Sequence, residues 1–285
     1  MNRRKTLQTT VALVFAACCM CKMGQAQTGL TPAWLKWLGN GKNNFNCTSG
    51  TCKITDEIWF NSFNVSPGAT VVNAGGNGPL IIRATGACTI DGTVIANGSP
   101  TWGSGITGNG DFGGGGGGGG GGKAAGISGK TTVVITGIPV VNGGPGGIAG
   151  GGNGQNGISP ATTQYNAFLS NGSSWPGGGA AGGRGGSGGG AGGLGGTPVI
   201  FVCNTIEFSG TIDVSGGTGG NATADSTGAG GGGGGGYVVL AAVSFTGNTG
   251  TMNTSGGLGG SCNGHLICGA GGNGGNGWST SINIQ

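Results

Sequence analysis

The stretch GDFGGGGGGGGGGKAAG, from Gly110 to Gly126, contains ten consecutive glycines at 113–122. Such a run is either a slack linker or a strand of backbone that packs against other backbone. Ordering a residue costs about 1–2 kcal/mol in backbone entropy, and glycine offers no side-chain burial to offset it. Packing therefore needs lateral hydrogen bonds made cooperatively by several segments. Other glycine-rich segments supply them. Asn142, Pro145 and Ile148 are each separated by Gly-Gly, as are Ala181, Arg184 and Ser187. The same spacing holds for Ala191, Leu194 and Thr197, for Ser215, Thr218 and Asn221, for Ser255, Leu258 and Ser261, and for Ala270, Asn273 and Asn276. Period three is that of the polyproline-II helix, which makes no internal hydrogen bonds, so its N–H and C=O groups must find water or a neighbour. We therefore expect ordered polyglycine-II-like segments at 142–150, 177–196, 213–221 and 255–277. The undecorated run at 113–122 is expected to pack with them, the alternative being a flexible surface loop.

The rest of the chain argues for order. Glycine makes up 79 of 285 residues, but there are only 9 prolines and no single G-X-Y register, which excludes collagen. Charged residues are 6%, far below the content of disordered linkers. Between the glycine segments lie Val/Ile/Phe-rich units that resemble one another. PLIIRATGACTIDGTVIANG (Pro79–Gly98), PVIFVCNTIEFSGTIDVSGG (Pro198–Gly217) and YVVLAAVSFTGNTGTMNTSGG (Tyr237–Gly257) share one pattern: an apolar strand, a break, a second strand, then a third short strand. FNVSPGATVVNAGG (Phe63–Gly76) matches the second half, and TTVVITGIPVVNGG (Thr131–Gly144) is a degenerate copy. Units of roughly twenty residues that bury their apolar faces only by stacking define a β-solenoid. The expected fold is thus all-β, with β-solenoid or β-helix-like repeats interleaved with packed glycine segments.

The N-terminus is separable. Arg3, Arg4 and Lys5 precede the apolar VALVFAACCM, and Gly24 and Ala26 supply small residues before Gln27. Residues 1–26 are expected to be a secretory signal peptide, with a partial lipobox at Cys18 as a minor alternative. That segment holds four of the 11 basic groups and none of the 7 acids, leaving the mature chain with no net charge. No electrostatic footprint for nucleic acid remains. Nor does the mature chain contain an expected membrane span. Residues 27–56 are expected to form an N-terminal cap, with a short helix in TPAWLKWLG from Thr31 to Gly39. The repeat domain then covers 57–285. Six cysteines remain after export, an even number that suggests disulfides. Cys47 with Cys52 and Cys262 with Cys268 are close pairs. Cys88 and Cys203 are left to pair if their strands stack.

Chemistry is sparse. The acids Asp56, Glu57, Asp91, Asp111, Glu207, Asp213 and Asp225 show no catalytic grouping, and His265 is the single histidine. No metal or cofactor is expected, and a lone Asp111 does not make a calcium-binding repeat. Trp102, Phe112, Tyr165, Phe168 and Trp175 lie in or beside glycine segments and are the candidate ligand-binding side chains. The alternative is that these rings pack over the glycine segments.

The units PLIIRATG, IDGTVIANG and IEFSGTIDVSGGTGGN, followed by GAGGGGGGGYVVLAA, resemble those of glycine-rich secreted bacterial proteins over most of 57–285. The glycine segments are also similar in kind to the polyglycine-II bundles of phage tail-tip adhesins and of a class of glycine-rich antifreeze proteins. The resemblance implies a non-enzymatic surface or matrix protein, a scaffold or adhesin, with itself or a surface glycan as partner. A binding module for carbohydrate or ice is the alternative, and a polysaccharide-active β-helix enzyme is a third reading, disfavoured by the missing charged cluster.

Overall fold

A computed structural model describes residues 41–54, 57–74, 79–98, 119–130, 143–159, 183–186 and 188–284. The expected signal peptide and the helix at 31–39 lie outside the described residues.

Twelve strands follow in chain order: β1 (Asn44–Cys47), β2 (Thr51–Ile54), β3 (Glu57–Phe60), β4 (Ser62–Val65), β5 (Thr70–Asn73), β6 (Leu80–Ile90), β7 (Thr93–Ile95), β8 (Val199–Phe208), β9 (Thr211–Asp213), β10 (Tyr237–Asn248), β11 (Thr251–Asn253) and β12 (Trp278–Asn283). They form two sheets. A seven-stranded sheet runs β1-β4-β6-β8-β10-β12, with β3 also pairing β6, and a five-stranded sheet runs β11-β9-β7-β5-β2. The strand pairs in both are parallel. Parallel neighbours cannot be joined by a tight hairpin, so each coil must travel round before the next strand begins. This all-β stack of parallel strands is consistent with a β-solenoid-like winding.

The core is a set of side-chain columns. Leu80, Val199 and Val238 stand in register, then Ile82, Phe201 and Leu240, then Ala84, Cys203 and Ala242. All nine are completely buried. Val71, Val94, Ile212 and Met252 form the facing column on the smaller sheet. Each coil is a single layer, so its core side chains are covered above and below only when neighbouring coils stack. Ile200, Val202, Val239 and Ala241 alternate with the inward residues and are buried too. That explains why the first halves of β8 and β10 are continuous apolar runs rather than alternating ones. Phe45, Phe60 and Phe63 cluster at the N-terminal end, Phe45 and Phe63 stacked at 4.8 Å, and Phe63 meets Phe201 edge-on at 5.4 Å.

Two details differ from the sequence expectation. The break between the first and second strands of a unit is a bulge within one strand. In β6 the register with β8 shifts between Ala84 and Ala87, where Gly86 donates its N–H to Asn61 O. Second, the glycine segments do not lie between complete coils; from β7 onward they are the arms that carry the chain from the smaller sheet back to the larger one, whereas β5 passes to β6 without such an arm. From β9 the chain leaves along 214–222, turns, and returns along 228–236 into β10. From β11 it leaves along 254–261, turns, and returns along 269–277 into β12. Asp213 with Asn253, Asn221 with Ser261, and Asp225 with His265 pair across successive coils at a separation of 40 residues, twice the expected unit.

The corners are specialised. Where the chain passes from the larger to the smaller sheet, the Gly92, Gly210 and Gly250 N–H groups bond to Val65 O, Ile90 O and Phe208 O. A Cβ on Gly210 would land on the Gly92 carbonyl, so the close stacking of these turns requires glycine there. Where the chain leaves the smaller sheet, the Asp213 carboxylate accepts from Asn97 Nδ2 at 2.8 Å, Asn253 Nδ2 at 2.9 Å and the Ser215 N–H at 3.0 Å. One carboxylate thereby ties three coils together.

Candidate functional site: the glycine lattice and its rim

Among the described residues ten glycine-rich segments lie side by side: 119–122, 124–130, 143–149, 152–159, 183–186, 189–196, 214–222, 228–236, 254–261 and 269–277. Their backbone hydrogen bonds run between segments and advance in steps of three. The N–H groups of Gly190, Gly193 and Gly196 bond to the carbonyls of Gly228, Gly231 and Gly234. Those of Gly216, Gly219 and Ala222 bond to Ser255, Leu258 and Ser261. Antiparallel neighbours keep the same step: Gly230, Gly233 and Gly236 donate to Gly220, Gly217 and Val214.

Two segments are interior. Segment 228–236 bonds to six others: 119–122 through Gly120 to Ala229, 183–186 through Gly228 to Gly186, 189–196 through Gly193 to Gly231, 214–222 through Gly233 to Gly217, 254–261 through Gly257 to Gly233, and 269–277 through Gly232 to Gly272. Segment 119–122 also bonds to six: 124–130, 143–149, 152–159, 183–186, 228–236 and 269–277. The other eight close a ring around this pair. Around it, 124–130 meets 143–149, then 152–159, 269–277, 254–261, 214–222, 189–196 and 183–186, which returns to 124–130 through Ile127 to Arg184.

Composition follows position. The interior segments are nearly pure glycine, GGGG at 119–122 and GAGGGGGGG at 228–236, and every residue in them is buried. A segment enclosed on all sides has no direction in which a side chain can point. Rim segments have one, and there side chains appear, at every third residue in 189–196, 254–261 and 269–277 and more often at 124–130 and 152–159. In 254–261, Ser255, Leu258 and Ser261 are exposed while Gly257 and Gly260 are buried. The described end of the ten-glycine run is therefore the centre of a lattice. A Cβ at Gly119, Gly120, Gly121 or Gly122 would land on the backbone of Arg184, Gly269, Ile148 or Ser226. Of the expected segments, the described parts of 142–150, 177–196 and 213–221 join the lattice, and 255–277 joins it as two segments, 254–261 and 269–277, separated by the turn at 262–268. Segment 228–236 was not among those expectations, because a run without decoration shows no period. The missing decoration was itself the available signal.

The rim side chains have a job. A rim backbone has N–H groups that face no neighbouring segment, and short amides cover several of them. Asn273 Oδ1 accepts from Gly259 N at 2.8 Å, and Asn276 Oδ1 from Gly256 N at 2.9 Å. Asn153, Asn156 and Ser159 accept from the N–H groups of Ala270, Asn273 and Asn276 at 2.8–2.9 Å, again in steps of three. Segments 254–261, 269–277 and 152–159 thus present three adjoining rows of Ser, Asn and Leu at regular spacing. With a rise of about 3.1 Å per residue, the repeat along each row is about 9 Å.

All six cysteines remaining after residue 26 are bonded: Cys47 to Cys52, Cys88 to Cys203 and Cys262 to Cys268. The first joins β1 to β2, hence one sheet to the other. The second links neighbouring strands β6 and β8 across a sequence separation of 115. The third closes the turn between 254–261 and 269–277. In that turn Asp225, from the preceding arm, accepts from Leu266 N at 2.8 Å and lies 3.2 Å from His265 Nδ1. The Leu266 N–H, and then His265, hold the Asp225 carboxyl below its ordinary value. Ile267, a β-branched residue, takes φ 53° there and is 55% exposed.

The candidate aromatics Trp102, Phe112, Tyr165, Phe168 and Trp175 lie outside the described residues. Among the described residues no three His, Cys, Asp or Glu side chains gather to hold a metal ion. Asp91 bonds to Ser209 and Asp213 to the Asn ladder, each at a corner of the solenoid. No described helix is long and apolar enough to cross a membrane. Three disulfides indicate an oxidising, extracytoplasmic setting. Comparison of the chain with protein-family models, with curated proteins and with solved structures returned no match.

Proposed function

We propose that this chain is an exported, non-enzymatic structural protein, a rigid scaffold or adhesin of the cell envelope or extracellular matrix. The observation that carries the reading is the enclosure of two glycine segments by eight others, fused without a linker to a disulfide-braced solenoid. The steps of three mark the segments as polyglycine-II-like. Such a body is stiff in all directions, because sheets and lattice share the same coils. The basic-apolar-small pattern of residues 1–26 supplies the route out of the cell, with cleavage before Gln27. Expression of the full chain in a bacterial host tests this. The reading expects protein outside the cytoplasm, beginning at Gln27, with three intact disulfides. Cytoplasmic protein with an uncut N-terminus would overturn it.

The second reading, a binding module for carbohydrate or ice, is favoured by the regular rows of Asn and Ser on 254–261, 269–277 and 152–159. Thermal hysteresis by residues 27–285 separates an ice-binding module from the scaffold or adhesin, which expects none.

A further inference from the structure

The chain contains many Asn-Gly pairs, the dipeptide in which an asparagine side chain is most easily attacked by the next backbone nitrogen, because glycine has no side chain to obstruct it. Six such pairs lie wholly among the described residues: 97–98, 153–154, 156–157, 263–264, 273–274 and 276–277. In five of them the attacking nitrogen is committed to the fold. The N–H of Gly98 donates to Ser215 O, Gly154 to Ala270 O, Gly157 to Asn273 O, Gly274 to Gly257 O and Gly277 to Thr254 O, at 2.7–2.9 Å. Four of these are lattice bonds. Attack would require breaking that bond and rotating a segment locked between neighbours.

The pair Asn263–Gly264 is different. It sits in the turn closed by Cys262–Cys268, both residues are exposed, and the Gly264 N–H makes no hydrogen bond among the described residues. Both residues have left-handed backbones, φ 49° and 82°. The Ser261 hydroxyl donates to Asn263 Oδ1 at 2.6 Å, drawing electron density from the side-chain carbonyl carbon.

We propose that Asn263 is a site of spontaneous self-modification by deamidation. The Gly264 nitrogen, losing its proton to hydroxide, bonds to Asn263 Cγ. The Cγ–Nδ2 bond breaks, and Nδ2 leaves as ammonia after taking a proton from water. Water then opens the resulting succinimide ring at either carbonyl, giving aspartate or isoaspartate. Either product places a new carboxylate at the exposed turn. Isoaspartate also lengthens the main chain within the disulfide ring, beside the His265 and Leu266 that hold Asp225. Among the six described pairs, the fold thus protects five and leaves one turn to age.

The test uses the folded, oxidised protein. It is incubated at mildly alkaline pH, and Asp and isoAsp at each pair are followed by peptide mapping and mass spectrometry. Asn263 should convert roughly tenfold or more faster than Asn97, Asn153, Asn156, Asn273 and Asn276, since even modest local stability suppresses opening by that factor. In the reduced, denaturant-unfolded chain the six should convert at comparable rates, which assigns the difference to the fold. Conversion of any of the other five as fast as Asn263 in the folded protein would overturn the proposal. So would an Asn263 that stays intact when folded over times in which the unfolded chain converts fully.

Discussion

The sheets and the glycine lattice are built by the same coils, stacked in the same direction, yet they are held by different forces. In the sheets, columns such as Ile82, Phe201 and Leu240 bury apolar side chains, while backbone bonds fix the register. In the lattice there is almost nothing to bury, and the backbone bonds are the whole of the packing. A side-chain core has some tolerance, because rotamers and neighbours relax around a lost methylene. A backbone lattice has none in the other direction. The added atom meets a carbonyl that belongs to another hydrogen bond, and moving it disturbs a third segment. The difference teaches that large-to-small changes test the sheets, and small-to-large changes test the lattice.

The largest effect should come from Gly233→Val, whose Cβ would land on the Leu194 carbonyl in the enclosed segment 228–236. We expect a loss of more than about 4 kcal/mol, in the exceptional range for a point mutation, or failure to fold. Thr218→Val, at an exposed rim position of 214–222, should change stability by no more than about 0.5 kcal/mol. Denaturant melts of the two variants check this. Equal midpoints would break the contrast between interior and rim.

Phe201→Ala should come next, at about 3 to 4 kcal/mol, from the cavity left in a fully buried column. The sharper readout is amide exchange. Loss of Phe201 should loosen β6 and β10, its partners in the sheet, before the lattice amides of 190–196. Simultaneous loosening everywhere would show that sheets and lattice open as one unit.

Replacing Cys88 and Cys203 together by Ala should cost about 2–4 kcal/mol. The bridge spans 115 residues of sequence, so it restricts the unfolded chain strongly. Thermal melts under matched conditions measure it. The Cys262–Cys268 pair, which closes only a turn, should matter less.

The smallest effect belongs to Asp225, which is exposed. Its folded-state pKa lies below the ordinary 3.8, so it binds a proton more readily in the unfolded chain. Its contribution to stability is therefore present above about that pH and is lost as pH falls through the lower folded value. Asp225→Asn should lower the melting temperature slightly at neutral pH, and the gap should close in acid. A gap that widens in acid would break the assignment.

Much of this protein was legible in the sequence because it is locally encoded. The Val/Ile/Phe-rich runs in PLIIRATG and PVIFVCNTIEF mark strands, since β-branched and aromatic side chains suit a buried pleated surface. Gly-Gly-X marks rim segments, since one residue in three faces out. Cys47–Cys52 and Cys262–Cys268 were legible as close pairs, each bridged as a small loop. Cys88–Cys203 needed the added supposition that two strands stack. What the tertiary structure alone decided is which segment lies beside which. Polyglycine-II-like segments spend their hydrogen bonds on neighbours, not on themselves, so nothing within 119–122 or 228–236 names the six segments that surround each. The same holds for the coil length, the Asp213 ladder and the unprotected nitrogen of Gly264. Each depends on what another coil places against it. A pure glycine run carries no side chain to record its position, and its place at the centre is fixed only when the eight decorated segments close around it.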